Sequence, residues 1–241
     1  MLKKHIPNSI TLLNLLSGSV AAIMAVEGQL IIAAALVGLA AVFDFLDGFF
    51  ARLLHVKSEI GKELDSLADV ISFGLTPSVI LFIMIRENAA LQPQSGILSF
   101  LPYTALLIAA FSALRLARFN IDTRQTTSFL GLPTPANAIF IASLPFFTGS
   151  QAFQDAGFLS EVVGSIYFQV ALIPVSCYLL VSEIPLFALK FSNGFSTAAN
   201  KLKYILALGS VILLIIFKWA GIPLIVVLYI LISAFAGKEK F

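Results

Sequence analysis

Charge is scarce in this sequence. Asp, Glu, Lys and Arg together make up 12% of the 241 residues, while 59% are hydrophobic. A soluble globular domain carries about 25% charged residues, so the composition excludes water as the main solvent. Cysteine is almost absent: Cys177 stands alone in an apolar run, can form no intrachain disulfide, and reads as a small buried hydrophobe. No basic run is long enough to line a nucleic-acid groove, and the net charge of +2 is too small to attract a polyanion, so nucleic acid is excluded as a partner. The two histidines, His5 and His55, read as an interfacial residue and a solvated loop residue.

What the sequence has is apolar length. Stretches of about 20 apolar residues, the length a bilayer demands of a spanning helix, recur along nearly the whole chain. They predict an all-α polytopic membrane protein of about eight transmembrane helices: Ile6–Val26, Leu30–Phe50, Gly61–Ile85, Ile97–Phe119, Pro135–Thr148, Ile166–Leu189, Tyr204–Trp219 and Pro223–Ala236. The fifth is short and the turn between the last two is tight. Lys3-Lys4 before an apolar run imitates a signal peptide, but no small-residue cleavage site opens onto a soluble domain before Leu30, so the first segment is expected to stay as a helix. Pro77, Pro145, Pro174 and Pro185 are expected to kink helices. The 22 phenylalanines suit lipid-facing and core positions rather than a stacking platform.

Basic residues set the orientation. With the N-terminus in the cytoplasm, the inner side collects Lys3, Lys4, Arg52, Lys57, Lys62, Arg115, Arg118, Arg124, Lys190, Lys201, Lys203, Lys238 and Lys240, and only Arg86 and Lys218 fall outside. The predicted outer connection from Gly149 to Gly164 holds Asp155 and Glu161 but no Lys or Arg. Both ends are therefore expected on the cytoplasmic side of the cell (inner) membrane.

Against this background the aspartates are misplaced for a structural protein. The chain has six, and Asp44, Asp47, Asp65 and Asp69 fall where the second and third spans meet the cytoplasmic surface. An Asp near the middle of a membrane helix costs about 2.5–3.5 kcal/mol on insertion scales, and less near the interface. Spacings of three and four put each pair on one helix face. The short connection from Leu53 to Ile60 makes the two helices antiparallel neighbours, so both faces can point into one cavity. Four converging carboxylates cannot all stay ionised alone: either some are protonated or a divalent cation sits among them. All-oxygen ligands favour Mg²⁺, Mn²⁺ or Ca²⁺ over zinc or copper. Gly48, Gly61 and Ala51 keep the acidic face shallow, which suits either close approach of a bulky ligand or packing through small residues.

Together these residues resemble the signature of the CDP-alcohol phosphatidyltransferases, D-x2-D-G-x2-A-R-x8-G-x3-D-x3-D. It runs here through Asp44, Asp47, Gly48, Ala51, Arg52, Gly61, Asp65 and Asp69, with every spacing matched over 26 residues. The resemblance implies a six-helix core, covering residues 1–189, with residues 190–241 a C-terminal loop and two-helix extension. It also implies frequent homodimers and a cytidine-diphosphate site at the cytoplasmic face. By the same resemblance Asp44, Asp47, Asp65 and Asp69 hold the metal, Mg²⁺ or Mn²⁺, as one ion or two. Asp69 is also the expected general base, and Gly48, Ala51, Arg52 and Gly61 line the nucleotide pocket.

Further stretches look like the bacterial and archaeal phosphatidylserine synthases: Pro7-Asn8 with Thr11, Asn14 and Gly18, then Ser72-Phe73-Gly74 with Pro77. Arg115 with Arg118-Phe119-Asn120 and Gly131-Leu132-Pro133 with Pro135-Ala136 complete the set. Archaetidylserine synthases share them, which leaves both lipid backbones open. The expected substrates are CDP-diacylglycerol, entering from the membrane lipids, and L-serine. Serine is a zwitterion, so its site should offer both signs. Arg115 and Arg118 suit its carboxylate, against a purely topogenic role; Glu183 suits its ammonium, against pairing with Lys190. Asn8 and Thr11 fit either a nucleotide contact or a cap on the first helix.

Rival readings make different demands. A phosphorylated acceptor wants a denser basic pocket than Arg115, Arg118 and Arg124 provide. A cation-coupled transporter wants midplane acids and an inverted repeat, whereas these acids gather toward one face. A scaffold has no use for them.

Overall fold

A computed structural model describes residues 5–56, 58–88, 96–122, 128–149, 157–187 and 198–236. Lys3, Lys4, Lys57, Arg124, Asp155, Lys190, Lys238 and Lys240 lie outside the described residues, as does most of the predicted outer connection after Gly149.

Most of the described apolar stretches are helical. Helix α1 (His5–Val26) turns at Gly28, whose φ of 78° suits glycine, and packs antiparallel against α2 (Leu30–Leu53). Small residues let the two backbones approach: Ala21, Ala25, Ala33, Ala34, Val37 and Ala40 are buried. The opposite faces, with Leu16, Ile23, Phe45 and Phe49, are exposed and apolar, as lipid contact requires.

After α2 comes α3 (Glu59–Asp69), started by Ser58, whose hydroxyl accepts the Gly61 N–H at 3.2 Å. A π-helical turn (Val70–Leu75) leads without interruption into α4 (Thr76–Arg86), so the third span bends by widening rather than by breaking. Pro77 accounts for the widening: its ring would crowd the carbonyl of Phe73 in a regular helix and it donates no N–H. The Thr76 hydroxyl bonds to the carbonyls of Ile71 and Gly18, both at 2.9 Å, stitching the turn to α1. Phe73, Ile80, Leu81, Ile83 and Ile85 fill the centre of the bundle.

The fourth predicted span is a 3₁₀ stretch (Gly96–Leu106), containing Pro102, followed by α5 (Leu107–Ile121). The fifth is divided at Leu144 into α6 (Thr134–Ser143) and α7 (Pro145–Gly149). Next come α8 (Phe158–Gly164) and α9 (Ile166–Val181), bent by 68° relative to each other. Two expectations are corrected here. The sixth helix ends at Val181, not Leu189, and Pro185 kinks no helix. It starts a strand β2 (Pro185–Phe187) that pairs antiparallel with β1 (Ser128–Leu130). A proline at the first residue of an edge strand forfeits no ladder bond, whereas in a helix interior it would.

The C-terminal pair, α10 (Ala198–Phe217) and α11 (Gly221–Ala236), folds back at Lys218, where φ is 51°. A Cβ on Gly209 would lie 2.8 Å from Leu228, two positions that a straight helix would hold about 28 Å apart. Among the described residues, five helical stretches are long and apolar enough to cross a membrane, or six if the bent α8–α9 pair is one span. The chain is thus an all-α polytopic membrane protein. The shortfall from eight comes from the divided α6–α7 segment and from α10–α11, which counts as one apolar stretch although it is a hairpin.

Candidate active site

Three helices converge on the acidic cluster. Asp44 and Asp47 project from α2, Asp65 and Asp69 from α3, and α1 crosses behind both with Thr11 and Asn14. Carboxylate oxygens of Asp44, Asp47 and Asp65 all lie within 4.8 Å of one another. Asp44 and Asp65 approach within hydrogen-bonding reach, and two carboxyls hold such an approach only with a proton or a cation between them. Asp65 Oδ1 is buried and has no hydrogen-bond partner among the described residues. An oxygen-only donor set with an orphaned, inward acceptor fits a hard divalent cation.

The remaining contacts orient these acids. Thr11 donates its hydroxyl to Asp47 Oδ2 at 2.7 Å, and Asn14 donates its amide to Asp69 Oδ1 at 3.2 Å. Asn14 and Thr11 are essentially without solvent exposure, so α1 forms a polar seam against the acids rather than a lipid-facing surface. Asp69 stands outside the three-oxygen group, one turn deeper along α3 and also buried.

Beside the acids opens a cleft of about 650 Å³. Asn8, Thr11, Asp47, Gly48, Ala51, Gly61 and Asp65 line it. The two glycines differ in tightness: a Cβ on Gly61 would lie 2.9 Å from Asn8 Oδ1 and displace that side chain, whereas one on Gly48 would meet the Arg52 guanidinium at 3.4 Å, an ordinary contact. Arg52 does not line the cleft itself; it lies over Gly48, which does. Asn8 and Thr11 belong to the cleft and do not cap α1, since both sit inside the helix.

A second cavity, about 510 Å³, brings together Arg115, Arg118 and Glu183. Because α9 stops at Val181, Glu183 sits just beyond the helix end rather than within it, on a wall shared with Ser182. Arg115 is 8% exposed, donates to Thr134 Oγ1 at 2.9 Å and leaves Nε without a partner among the described residues. It is within electrostatic range of Asp69. Asp69, in turn, is within electrostatic range of Asp44, Asp47 and Asp65, so it links the acid cluster with the arginine cavity. Side-chain hydrogen bonds also tie the two regions: Lys62 Nζ donates to the Asn120 backbone carbonyl at 3.0 Å, and the Asn120 side-chain amide donates to Ser66 Oγ at 2.8 Å.

Some participants are not found by spacing. Ser58, Glu59 and Lys62 line the first cleft, and Asp122 the second. Thr134 holds Arg115, and Tyr229, from the C-terminal hairpin, comes within electrostatic range of the same guanidinium. Only Lys62 carried a signal, as a basic residue near the acids.

A helical membrane protein in which paired acids from adjacent helices stand beside a glycine-lined cleft defines a class with an oxygen-only site suited to a hard divalent cation. The sequence profile of the family described as CDP-alcohol phosphatidyltransferase matches residues 4–182, and the chain belongs to that family. Among curated proteins it is similar to CDP-diacylglycerol–serine O-phosphatidyltransferase of Helicobacter pylori, 36% identical over 137 residues, covering 56% of this chain and 54% of the relative. The protein of that name from Mycobacterium tuberculosis is 35% identical over 146 residues, covering 58% and 48% respectively. Archaetidylserine synthase of Methanothermobacter thermautotrophicus is 34% identical over 161 residues, covering 66% and 64%. The matched region spans about half the length of the two CDP-diacylglycerol–serine relatives.

Proposed function

We propose that this chain transfers the phosphatidyl group of CDP-diacylglycerol to the hydroxyl of L-serine, releasing CMP. The observation that carries the reading is the position of Asp69, which interacts with both the three-carboxylate group and Arg115 of the second cavity. A base in that position can reach an acceptor from one side and a phosphorus from the other.

The first cleft receives the cytidine diphosphate, with Gly48, Ala51 and Gly61 allowing it to approach the helix backbones. Asp44, Asp47 and Asp65 would hold a divalent cation, Mg²⁺ or Mn²⁺, which when bound supplies positive charge against the diphosphate and the departing CMP. Arg115 and Arg118 bind the serine carboxylate, and Glu183 faces its ammonium. Asp69 takes the proton of the serine hydroxyl as its oxygen bonds to the lipid-linked phosphorus and the bond to the CMP oxygen breaks. Direct displacement needs no covalent enzyme intermediate. The presence of both signs in the second cavity supports a zwitterionic acceptor over a phosphorylated one, and the relatives are named for serine products. We place the site and both termini at the cytoplasmic face of the cell membrane, in a homodimer, on the bias of basic residues and the family resemblance.

The test uses the purified full chain, labelled CDP-diacylglycerol and a panel of alcohols. Serine-dependent CMP release that EDTA abolishes and Mn²⁺ or Mg²⁺ restores is the expected result. Ion flux without CMP release would replace the reading with a transporter.

A further inference from the structure

Asn14 is the most completely enclosed polar side chain near the acids, with no solvent exposure, on a helix whose other buried positions are mostly small. Its amide N–H goes to Asp69 Oδ1, while its own Oδ1 is buried without a partner among the described residues. An unsatisfied buried carbonyl is unfavourable, and an apolar side chain of the same volume would avoid it. Turning the amide over would bring its carbonyl oxygen against the Asp69 carboxylate instead, which is worse. The orientation is thus dictated by Asp69 at the expense of the amide's other end. The helix contact itself does not need the side chain: the Ser72 hydroxyl bonds to the Asn14 backbone carbonyl at 3.0 Å.

We infer that Asn14 is a positioning residue for the transfer reaction, occupying Oδ1 of Asp69 so that Oδ2 is the oxygen turned to the acceptor hydroxyl. The inference rests on the reading of Asp69 as general base. It places the specific contribution of Asn14 in the chemical step, not in ligand affinity.

Asn14→Leu removes the donor and keeps the volume; Asn14→Ser removes it with a side chain small enough to fit any packing; Asn14→Gln retains a donor on a longer arm. In the purified full chain, Asn14→Leu and Asn14→Ser are expected to lower kcat about 10- to 100-fold, with KM for both substrates and the Mn²⁺ midpoint within about twofold of wild type. Asn14→Gln should recover part of kcat. The melting temperature should change little in Asn14→Leu, because loss of the orphaned carbonyl offsets the Asp69 oxygen left without its donor. A folded donor-less variant with wild-type kcat, or a loss shared equally by KM, metal midpoint and melting temperature, would overturn the positioning role alone. A wild-type chain that releases no CMP with any alcohol would take the functional reading down with it.

Discussion

Thr11 Oγ1 lies 2.7 Å from Asp47 Oδ2 and 3.1 Å from the carbonyl of Pro7, so one hydroxyl proton serves both a helix turn and a carboxylate. The bond crosses from α1 to α2 and fixes the direction in which Asp47 presents its other oxygen. Hydrogen bonds behind a ligating carboxylate commonly contribute about 10- to 100-fold to metal affinity. Thr11→Val, which keeps the shape and loses the donor, should raise the Mn²⁺ midpoint of CMP release by about 10-fold at the low end of that range. Thr11→Ser should stay near wild type. A Mn²⁺ titration of both variants reads the difference, and coincident curves would show that Asp47 needs no such support.

Asp65 and Asp69 stand four residues apart on one helix yet should fail differently. Asp65 belongs to the three-oxygen group and keeps an unpartnered buried oxygen, whereas Asp69 is outside the group and held by Asn14. Asp65→Asn should therefore shift the metal requirement, with activity partly recovered at high Mn²⁺. Asp69→Asn should lower kcat by about 10²- to 10⁴-fold, as expected for loss of a general base, with CMP binding retained and no recovery by metal. Isothermal titration with CMP alongside the rate measurement separates the two, and substantial turnover by Asp69→Asn would remove it from the base role.

The acids, the glycines and the spans around them were legible because membrane helices impose few patterns: apolar length, face periodicity and the cost of charge. Spacing alone put the acids of α2 and α3 on facing helix sides, and the structure gathers Asp44, Asp47 and Asp65 with Asp69 one turn away. What could not be read depends on where backbone departs from the α-helix. The end of α9 at Val181 and the pairing of Pro185 in β2 with Leu130 follow from tertiary contacts. Composition gives no hint of them, because Leu, Phe and Ile serve strand and helix equally well in an apolar run. Tyr229 was hidden for a different reason. It lies in a hairpin beyond the family-matched region, where only folding shows that α11 packs on α6 and β2.

The second cavity makes a separable prediction. Arg118 and Glu183 line it on different elements, and neither touches the acid cluster. Arg118→Ala should raise KM for serine by about 10-fold or more, the usual effect of losing a charged hydrogen-bond partner, and leave KM for CDP-diacylglycerol unchanged. Glu183→Gln should raise KM for serine less and relax discrimination against alcohols that lack an ammonium group, such as 3-hydroxypropionate. Initial rates over a serine and analogue series test both. An unchanged serine KM in Arg118→Ala would detach the cavity from the acceptor.

Gly18 governs how closely α1 can carry Thr11 and Asn14 toward the acids. A Cβ at position 18 would overlap Ser72, including its backbone Cα, and the Thr76 hydroxyl bonds to the Gly18 carbonyl beside it. The neighbouring π turn is anchored on both sides, by Ser72 to Asn14 and by Thr76 to Gly18, so it cannot retreat without breaking those bonds. Overpacking a close contact costs about 1–3 kcal/mol, which predicts a lower melting temperature for Gly18→Ala and a larger fall for Gly18→Val. Because Asn14 sits one turn away, the displaced helix should also lose its grip on Asp69, so kcat should fall in step with stability along the series. At Gly38 on α2, where an added Cβ meets nothing within 4 Å, the same substitution to Ala should leave kcat unchanged and the melting temperature equal or slightly higher, since Ala is the better helix former. Thermal melts and single-condition rates on the three variants decide it, and a Gly18→Val protein as stable and as active as wild type would mean that α1 and the π turn are not in register as described.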